Sequence, residues 1–159
     1  MKADIKKLEE TAKEMRKTIL ETLYESQSGH PGGSLSMVEI LTTLYFYKLR
    51  YDAKNPKWDN RDRVVLSKGH CTPGLYTALA FAGFFPKEEL KTFRKIGSRL
   101  SGHAYISVPG VDATTGSLGQ GRCICISILQ RGLPDGTSRS HELRYSRSSR
   151  VGERFSRDG

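Results

Sequence analysis

Four short turns rich in glycine, hydroxyl groups and histidine divide this chain into segments that otherwise have the patterns of packed helices or strands. The turns are residues 28–34, 67–70, 101–103 and 114–121. Glycine leaves the backbone open to close approach, and serine, threonine and histidine side chains supply hydrogen-bonding groups. Such groups suit phosphate oxygens. We therefore predict that the four turns converge on one phosphorylated, nitrogen-rich ligand.

The segments on either side of the first turn have helical periodicity. Between residues 4 and 26, apolar residues recur every three or four positions, which places them on one face of an α-helix. Ser36 and Glu39 then have the spacing of a capping box, in which each side chain bonds the backbone of the other residue. This spacing predicts a second helix from Met37 to about Arg50. Because that helix is apolar almost all round, we expect it to be buried.

A strand-like segment precedes the second turn, and a helical segment follows it. Residues 63–67 are apolar and β-branched, as in the central strand of a parallel sheet. Thr72 as N-cap and Pro73 at the first helical position predict a helix that runs to about Phe81, where Gly83 stops it. Open α/β sheets bind ligands where a strand ends and a helix begins, and helix N-termini favour phosphate.

These patterns predict an α/β fold, with a parallel sheet flanked by helices and a helix-rich N-terminal part. The length of 159 residues and the 36% hydrophobic content are enough for one core. The apolar runs are too short and too charged to span a membrane. Because Met1 leads into a charged helix rather than an apolar signal core, we expect a cytoplasmic protein. Cys71, Cys123 and Cys125 lack paired spacing, which argues against a disulfide framework or a zinc site.

The composition changes after Gly121. Residues 122–159 hold eight arginines, seven serines and no alanine or lysine, and their helical periodicity is lost. We therefore predict two regions: a partial, incomplete ligand-binding domain over residues 1–121, and a disordered, Arg/Ser-rich tail over residues 122–159. Arginine-rich tails can bind RNA. Four acidic residues halve the net charge of this tail and only Tyr145 and Phe155 are aromatic, so nucleic-acid binding is not favoured.

In their order and spacing, the four turns resemble those in the N-terminal part of transketolases, particularly the kind made as two separate subunits. The resemblance covers residues 1 to about 121. Similar turns occur in deoxyxylulose-phosphate synthase, but the Ser-Lys-Gly-His turn followed by Pro73 and Tyr76 favours transketolase. The resemblance implies thiamine diphosphate held through a divalent metal, usually Mg²⁺. It also implies transfer of a two-carbon ketol unit between sugar phosphates, a partner in the form of a separate C-terminal subunit, and a homodimer-type assembly.

Carried over by motif, three histidines are implied to act at this site. His30 would lie beside the substrate and help to move protons at its carbonyl or hydroxyl groups. His103 would hydrogen-bond a substrate hydroxyl near the reacting carbons. His70 would contact the diphosphate or the cofactor close to it. Imidazole suits these roles because it titrates near neutrality and can donate or accept a proton. Three small or apolar residues would lie along the cofactor: Gly116, Ser117 and Leu118.

Each of these residues also has a purely structural interpretation. His30 can simply bond the backbone of its own turn, and His70 can cap the helix that follows it. Residues 116–121 can be a flexible turn, since isolated Gly-x-x-Gly spacings are common. The functional interpretation depends on the occurrence of all four turns together.

The chain departs from the family after Gly121. The family continues with an apolar helix, a strand that ends in Gly-Asp-Gly and a later asparagine, and the Asp and Asn bind the metal. Residues 122–159 match none of these features and resemble out-of-frame translation or a gene fragment. The pyrimidine-binding half, with the glutamate that activates the cofactor, would lie on another chain. We therefore expect no metal ligands and no transketolase activity in this chain itself, and a non-enzymatic fragment is the alternative.

Overall fold

The computed structural model describes residues 3–117. Four α-helices lie in this range, and the third continues as a π-helical turn, Leu44–Lys48. The α-helices are α1 (Ile5–Ser26), α2 (Pro31–Leu35), α3 (Val38–Thr43) and α4 (Thr72–Phe81), and two 3₁₀ turns cover Gly69–Cys71 and Lys87–Thr92. The predicted boundary at Gly121 and the predicted disordered tail lie outside the described residues.

The first predicted helix is confirmed almost to the residue. Asp4 caps α1, since its side chain accepts a hydrogen bond from the backbone N–H of Lys7 at 3.2 Å. The helix buries one stripe of residues, Ala12, Met15, Ile19 and Thr22. Gln27 ends it in the left-handed conformation, with φ of 47°. Amphipathic periodicity was sufficient to predict this helix because α1 lies on the surface and buries only one face.

The second helix forms where it was predicted, but the predicted capping box is wrong. The Ser36 hydroxyl donates to the carbonyl oxygen of Gly33 at 3.0 Å, and Glu39 forms an ion pair with Arg16 of α1. The helix also has an exposed side, where Ile40 is 48% and Tyr47 is 50% exposed. The expectation that this segment is buried all round is therefore wrong for the described part of the chain.

Residues 63–67 do not form the predicted strand, and no strand is found within residues 3–117. Side chains from a later segment bond the backbone groups that a strand ladder would use. The backbone N–H of Val64 donates to Asp112 at 2.8 Å, and the carbonyl oxygen of Leu66 accepts from the Thr115 hydroxyl at 2.8 Å. The described region is therefore helix-rich, with residues 62–66 running as an extended segment through its core.

Helix α4 lies at the centre of the described region. Every residue from Thr72 to Ala80 is buried, and the helix contacts α1, α2 and α3. Its extent is as predicted, but Cys71 occupies the N-cap position and Thr72 is the first helical residue. Gly83, with φ of 87°, turns the chain away beyond the end of the helix, as predicted. In the described part of the chain, we find no helix with the length and apolar character needed to cross a membrane.

Candidate functional site

The structure brings the histidines of three separate turns together around Ser117. The rings of His30 and His70 lie edge to face, with centroids 5.0 Å apart. Nδ1 of His70 is hydrogen-bonded to the carbonyl oxygen of Ser117. Nε2 of His103 lies 3.0 Å from the Ser117 hydroxyl. The three imidazoles and the beginning of the fourth turn therefore form one cluster. Leu118, predicted to line the cofactor, lies outside the described residues.

The first and second turns are joined by Lys68, which the sequence did not single out as a site residue. Its ammonium group donates to the carbonyl oxygen of Gly33 at 2.9 Å and to the Ser36 hydroxyl at 3.1 Å. The backbone at Gly33 approaches the second turn so closely that a Cβ there would lie 2.3 Å from Sγ of Cys71. Glycine at this position is thus required by the contact between the turns.

The second turn lies between the third and the fourth. The backbone N–H of Gly69 donates to the carbonyl oxygen of Gly116 at 3.1 Å, and its own carbonyl accepts from Ala104 at 3.3 Å. A Cβ at Gly69 would lie 2.4 Å from the Thr115 hydroxyl oxygen. Thr115 in turn donates its N–H to the carbonyl of Ala104 at 3.1 Å. These backbone bonds fix the relative positions of the turns that carry His70, His103 and Ser117.

The accessible groups of the cluster are its imidazoles. His30 and His103 are exposed and His70 is half-buried. In the first turn, a Cβ built at Gly32 meets no described atom within 4 Å apart from its chain neighbours and the backbone of its own helix. Cys71, by contrast, is fully buried. Burial raises the pKa of its thiol, although Lys68 partly offsets the effect, so Cys71 is not an activated nucleophile.

The hydrogen bond of His70 determines which ring nitrogen can reach a ligand. A carbonyl oxygen only accepts, so Nδ1 must carry the proton that it donates to Ser117. Nε2 is then the ring atom that can bond a ligand. It accepts when the ring is neutral and donates when the ring is an imidazolium. An imidazolium beside an anionic diphosphate makes the stronger, charge-assisted bond.

The donor set at the cluster fits the oxygens of a diphosphate group. Imidazole groups and an open glycine backbone are available to phosphate oxygens at the cluster. Across residues 3–117, no three His, Cys, Asp or Glu side chains come together in a way that could hold a metal ion.

Comparison with known proteins identifies the class to which this fold and site belong. The profile of a family described as "Transketolase, thiamine diphosphate binding domain" matches residues 8–142, most of the chain. The chain therefore belongs to the transketolase family, and it corresponds to the N-terminal part of a transketolase. The matched residues belong to an α/β module that binds thiamine diphosphate. The match also runs past Gly121, the residue at which the sequence resemblance was expected to end.

Two curated relatives are separate subunits of transketolases. The chain is 49% identical over 115 residues to the 6-deoxy-6-sulfo-D-fructose transketolase subunit of Clostridium sp. (strain MSTE9), and the match covers 72% of this chain and 42% of that protein. It is 41% identical over 124 residues to one subunit of the apulose-4-phosphate transketolase of Phocaeicola vulgatus, and that match covers 78% and 44%. The chain thus spans less than half the length of these relatives.

A solved structure shows the same similarity. Transketolase from Leishmania mexicana superposes with a TM-score of 0.68 at 37% sequence identity, and the match covers 72% of this chain and 17% of that chain. The fold of the matched residues is therefore the transketolase fold.

Proposed function

We propose that the four turns form the part of a transketolase site that binds thiamine diphosphate and the ketose donor. The complete assembly would transfer a two-carbon ketol unit from a ketose phosphate to an aldose phosphate. The observation that carries the proposal is the convergence of His70 and His103 on Ser117, with His30 against the ring of His70. A turn histidine or a helix cap would not require three distant turns to meet at one residue.

Each histidine has a distinct role in this proposal. His70, with Nδ1 bonded to the Ser117 carbonyl, presents Nε2 to a diphosphate oxygen. His30 and His103 are exposed. They can therefore bond the carbonyl and hydroxyl groups of a sugar and move protons among them. Gly116, Ser117 and Leu118 lie along the cofactor, and the Ser117 hydroxyl holds the His103 ring until substrate binds.

The cofactor, when bound, supplies the carbanion chemistry of ketol transfer. The residues of this chain orient it, hold protons at the sugar oxygens and fix the reacting groups at short range. The tripeptide Gly-Asp-Gly, which the resemblance implies for the metal-binding strand, does not occur in these 159 residues. We therefore propose that turnover requires metal ligands from outside them. The cofactor-activating glutamate would come from a separate C-terminal subunit, in a homodimer-type assembly in the cytoplasm.

The test is a calorimetric titration of thiamine diphosphate, with Mg²⁺, into this chain mixed with the C-terminal subunit of a two-subunit transketolase. A titration of the C-terminal subunit by itself gives the background. We expect measurable binding, which His70→Ala weakens by about tenfold or more, since it removes a bond to a charged group. His141→Ala is the control because we assign that residue no role. Binding that is absent, or indifferent to His70, would overturn the proposed site.

Turnover is measured on the same mixture. The donors are a ketose phosphate and the two sugars for which relatives are named, 6-deoxy-6-sulfo-D-fructose and apulose 4-phosphate. We expect cofactor binding without ketol transfer. Ketol transfer by the mixture would contradict the proposal that turnover requires metal ligands that neither this chain nor the C-terminal subunit supplies, while leaving the histidine site intact.

A further inference from the structure

Two buried hydroxyl groups on α4 bond consecutive carbonyls of the turn that carries His103. Thr72 Oγ1 donates to the carbonyl oxygen of Gly102 at 3.1 Å, and the phenol of Tyr76 donates to that of His103 at 3.0 Å. Both residues are fully buried. Because they are four positions apart, they lie one above the other on the same face of the helix.

The side chain of Tyr76 is also held in place by the packing of its ring. The ring lies edge to face with Phe93, with centroids 6.3 Å apart. Burial raises the pKa of Tyr76, with the hydroxyl of Ser101 and the backbone near Tyr105 acting in the opposite sense. The phenol therefore keeps its proton and remains a donor at neutral pH. Ser101 adds a second bond to the same acceptor, since its hydroxyl lies 2.6 Å from the carbonyl oxygen of His103.

The orientation of the His103 ring depends on these backbone bonds because the residue itself is exposed. Core packing therefore does little to restrict where the side chain points. Its backbone is bonded to α4 on one side, and the next residue, Ala104, is bonded to Gly69 at 3.3 Å on the other. With the backbone fixed in this way, Nε2 reaches the Ser117 hydroxyl at 3.0 Å.

We infer that Thr72 and Tyr76 are positioning residues for His103, and that the hydroxyl groups of α4 set the direction in which its imidazole faces the substrate. This inference rests on the proposed function, in which His103 bonds a sugar hydroxyl. Proximity catalysis requires such accuracy, since a displacement of about 1 Å can cost roughly a hundredfold in rate. The buried core thereby determines the geometry of an exposed catalytic group.

The test removes one hydroxyl at a time and keeps the shape of the side chain. Thr72→Val, Tyr76→Phe and the double variant are compared with wild type in the full chain, labelled with ¹⁵N and ¹³C on histidine. The matched control is Thr77→Val, because the Thr77 hydroxyl is buried on the same helix and has no hydrogen-bond partner within residues 3–117. Thr72→Ser restores a hydroxyl at the first position and serves as the rescue.

The readout is the ring signals of His103 and their nuclear Overhauser contact with Ser117. In the double variant we expect the contact to fall by at least about half, with the signals of His30 and His70 unchanged, because only the third turn loses its bonds to the core. Thr77→Val and Thr72→Ser should resemble wild type. Unchanged His103 signals in the double variant would overturn the inference, as would equal changes at all three histidines.

A second titration separates this inference from the proposed function. Thiamine diphosphate and a ketose phosphate are added to the wild-type chain in the presence of the C-terminal subunit. We expect the His103 signals to shift in wild type and to shift less than half as far in the double variant. No shift in wild type would count against the proposed function, whereas an equal shift in both proteins would overturn the positioning role.

Discussion

The ammonium group of Lys68 lies 2.9 Å from the carbonyl oxygen of Gly33, although the two residues are 35 positions apart in the chain. This bond joins the turn that carries His70 to the turn that carries His30, whose rings are in edge-to-face contact. The distance between the two imidazoles therefore depends on the side chain of Lys68, two residues before His70 in the same turn.

Replacing Lys68 tests this dependence. We expect Lys68→Met to lower the free energy of unfolding by about 1–2 kcal/mol, because the carbonyl of Gly33 loses a charged donor. The contact between the His30 and His70 rings, measured by nuclear Overhauser effects, should weaken at the same time. Lys13→Met, an exposed lysine on α1, is the control. A stable variant with the ring contact intact would show that the two turns are held by other bonds.

Two neighbouring glycines in the first turn should respond differently to alanine. A Cβ at Gly33 would lie 2.3 Å from Sγ of Cys71 and 3.5 Å from Nε2 of His70, whereas a Cβ at Gly32 meets no described atom within 4 Å. We expect Gly33→Ala to destabilise the protein by about 1–3 kcal/mol through overpacking. Gly32→Ala should be neutral or slightly stabilising, since alanine favours the helix. Urea unfolding of the pair measures the difference, and equal effects would contradict the prediction.

Breaking the ion pair between Arg61 and Asp112 should cost far more stability than breaking the pair on the surface between Arg99 and Glu89. The side chains of the first pair are 8% and 4% exposed, and those of the second are 42% and 23% exposed. Asp112→Asn leaves a buried guanidinium without its counter-charge, which costs about 3–5 kcal/mol. Glu89→Gln should cost less than about 1 kcal/mol.

Chemical denaturation of these two variants at neutral pH gives both values. Asp112 also accepts the backbone N–H of Val64, so the loss should be accompanied by faster hydrogen exchange at Val64. A small effect of Asp112→Asn, with exchange at Val64 unchanged, would show that residues 62–66 are held in place without this carboxylate.

Stability should fall at alkaline pH because of Cys71. Burial raises the pKa of its thiol above the ordinary value of 9.0, with Lys68 lowering it by less. The unfolded thiol therefore loses its proton at a lower pH than the folded one. The free energy of unfolding should thus decrease as pH rises from the ordinary value to the raised one, and become constant beyond it.

The comparison is between wild type and Cys71→Ala, by urea unfolding at intervals from about pH 8 to about pH 10. Because Cys123 and Cys125 are present in both proteins, the difference between the two slopes of unfolding free energy against pH reports on Cys71 alone. Tyr76, whose pKa is also raised by burial, adds a further decrease that both proteins share. Parallel slopes would contradict the prediction.

The helices were predictable because their signals are local. The stripe of α1, its start at Asp4 and the stop of α4 at Gly83 all depend on residues within one or two turns of each other. The capping box failed for a non-local reason. Glu39 has a partner in Arg16 of another helix, and no spacing within the second helix reveals that neighbour.

The predicted strand and the site were also affected by contacts between residues that are distant in the sequence. Residues 63–67 have strand composition, but Asp112 and Thr115, some fifty positions away, bond their backbone. The histidines were found from motifs, since each lies in a turn that local composition marks. The hydrogen bonds that hold the histidines in one cluster could not be predicted from the sequence. They involve Lys68, Tyr76 and Ser117, and they form between residues that only the folded chain brings together.

The extended segment through the core also affects how this protein can evolve. In a β-ladder, backbone groups bond one another, so most side chains can be exchanged without breaking the connection. Here Val64 and Leu66 are connected through the carboxylate of Asp112 and the hydroxyl of Thr115. Each of these two bonds therefore depends on one side chain, and Asp112 and Thr115 should tolerate few substitutions across natural variants.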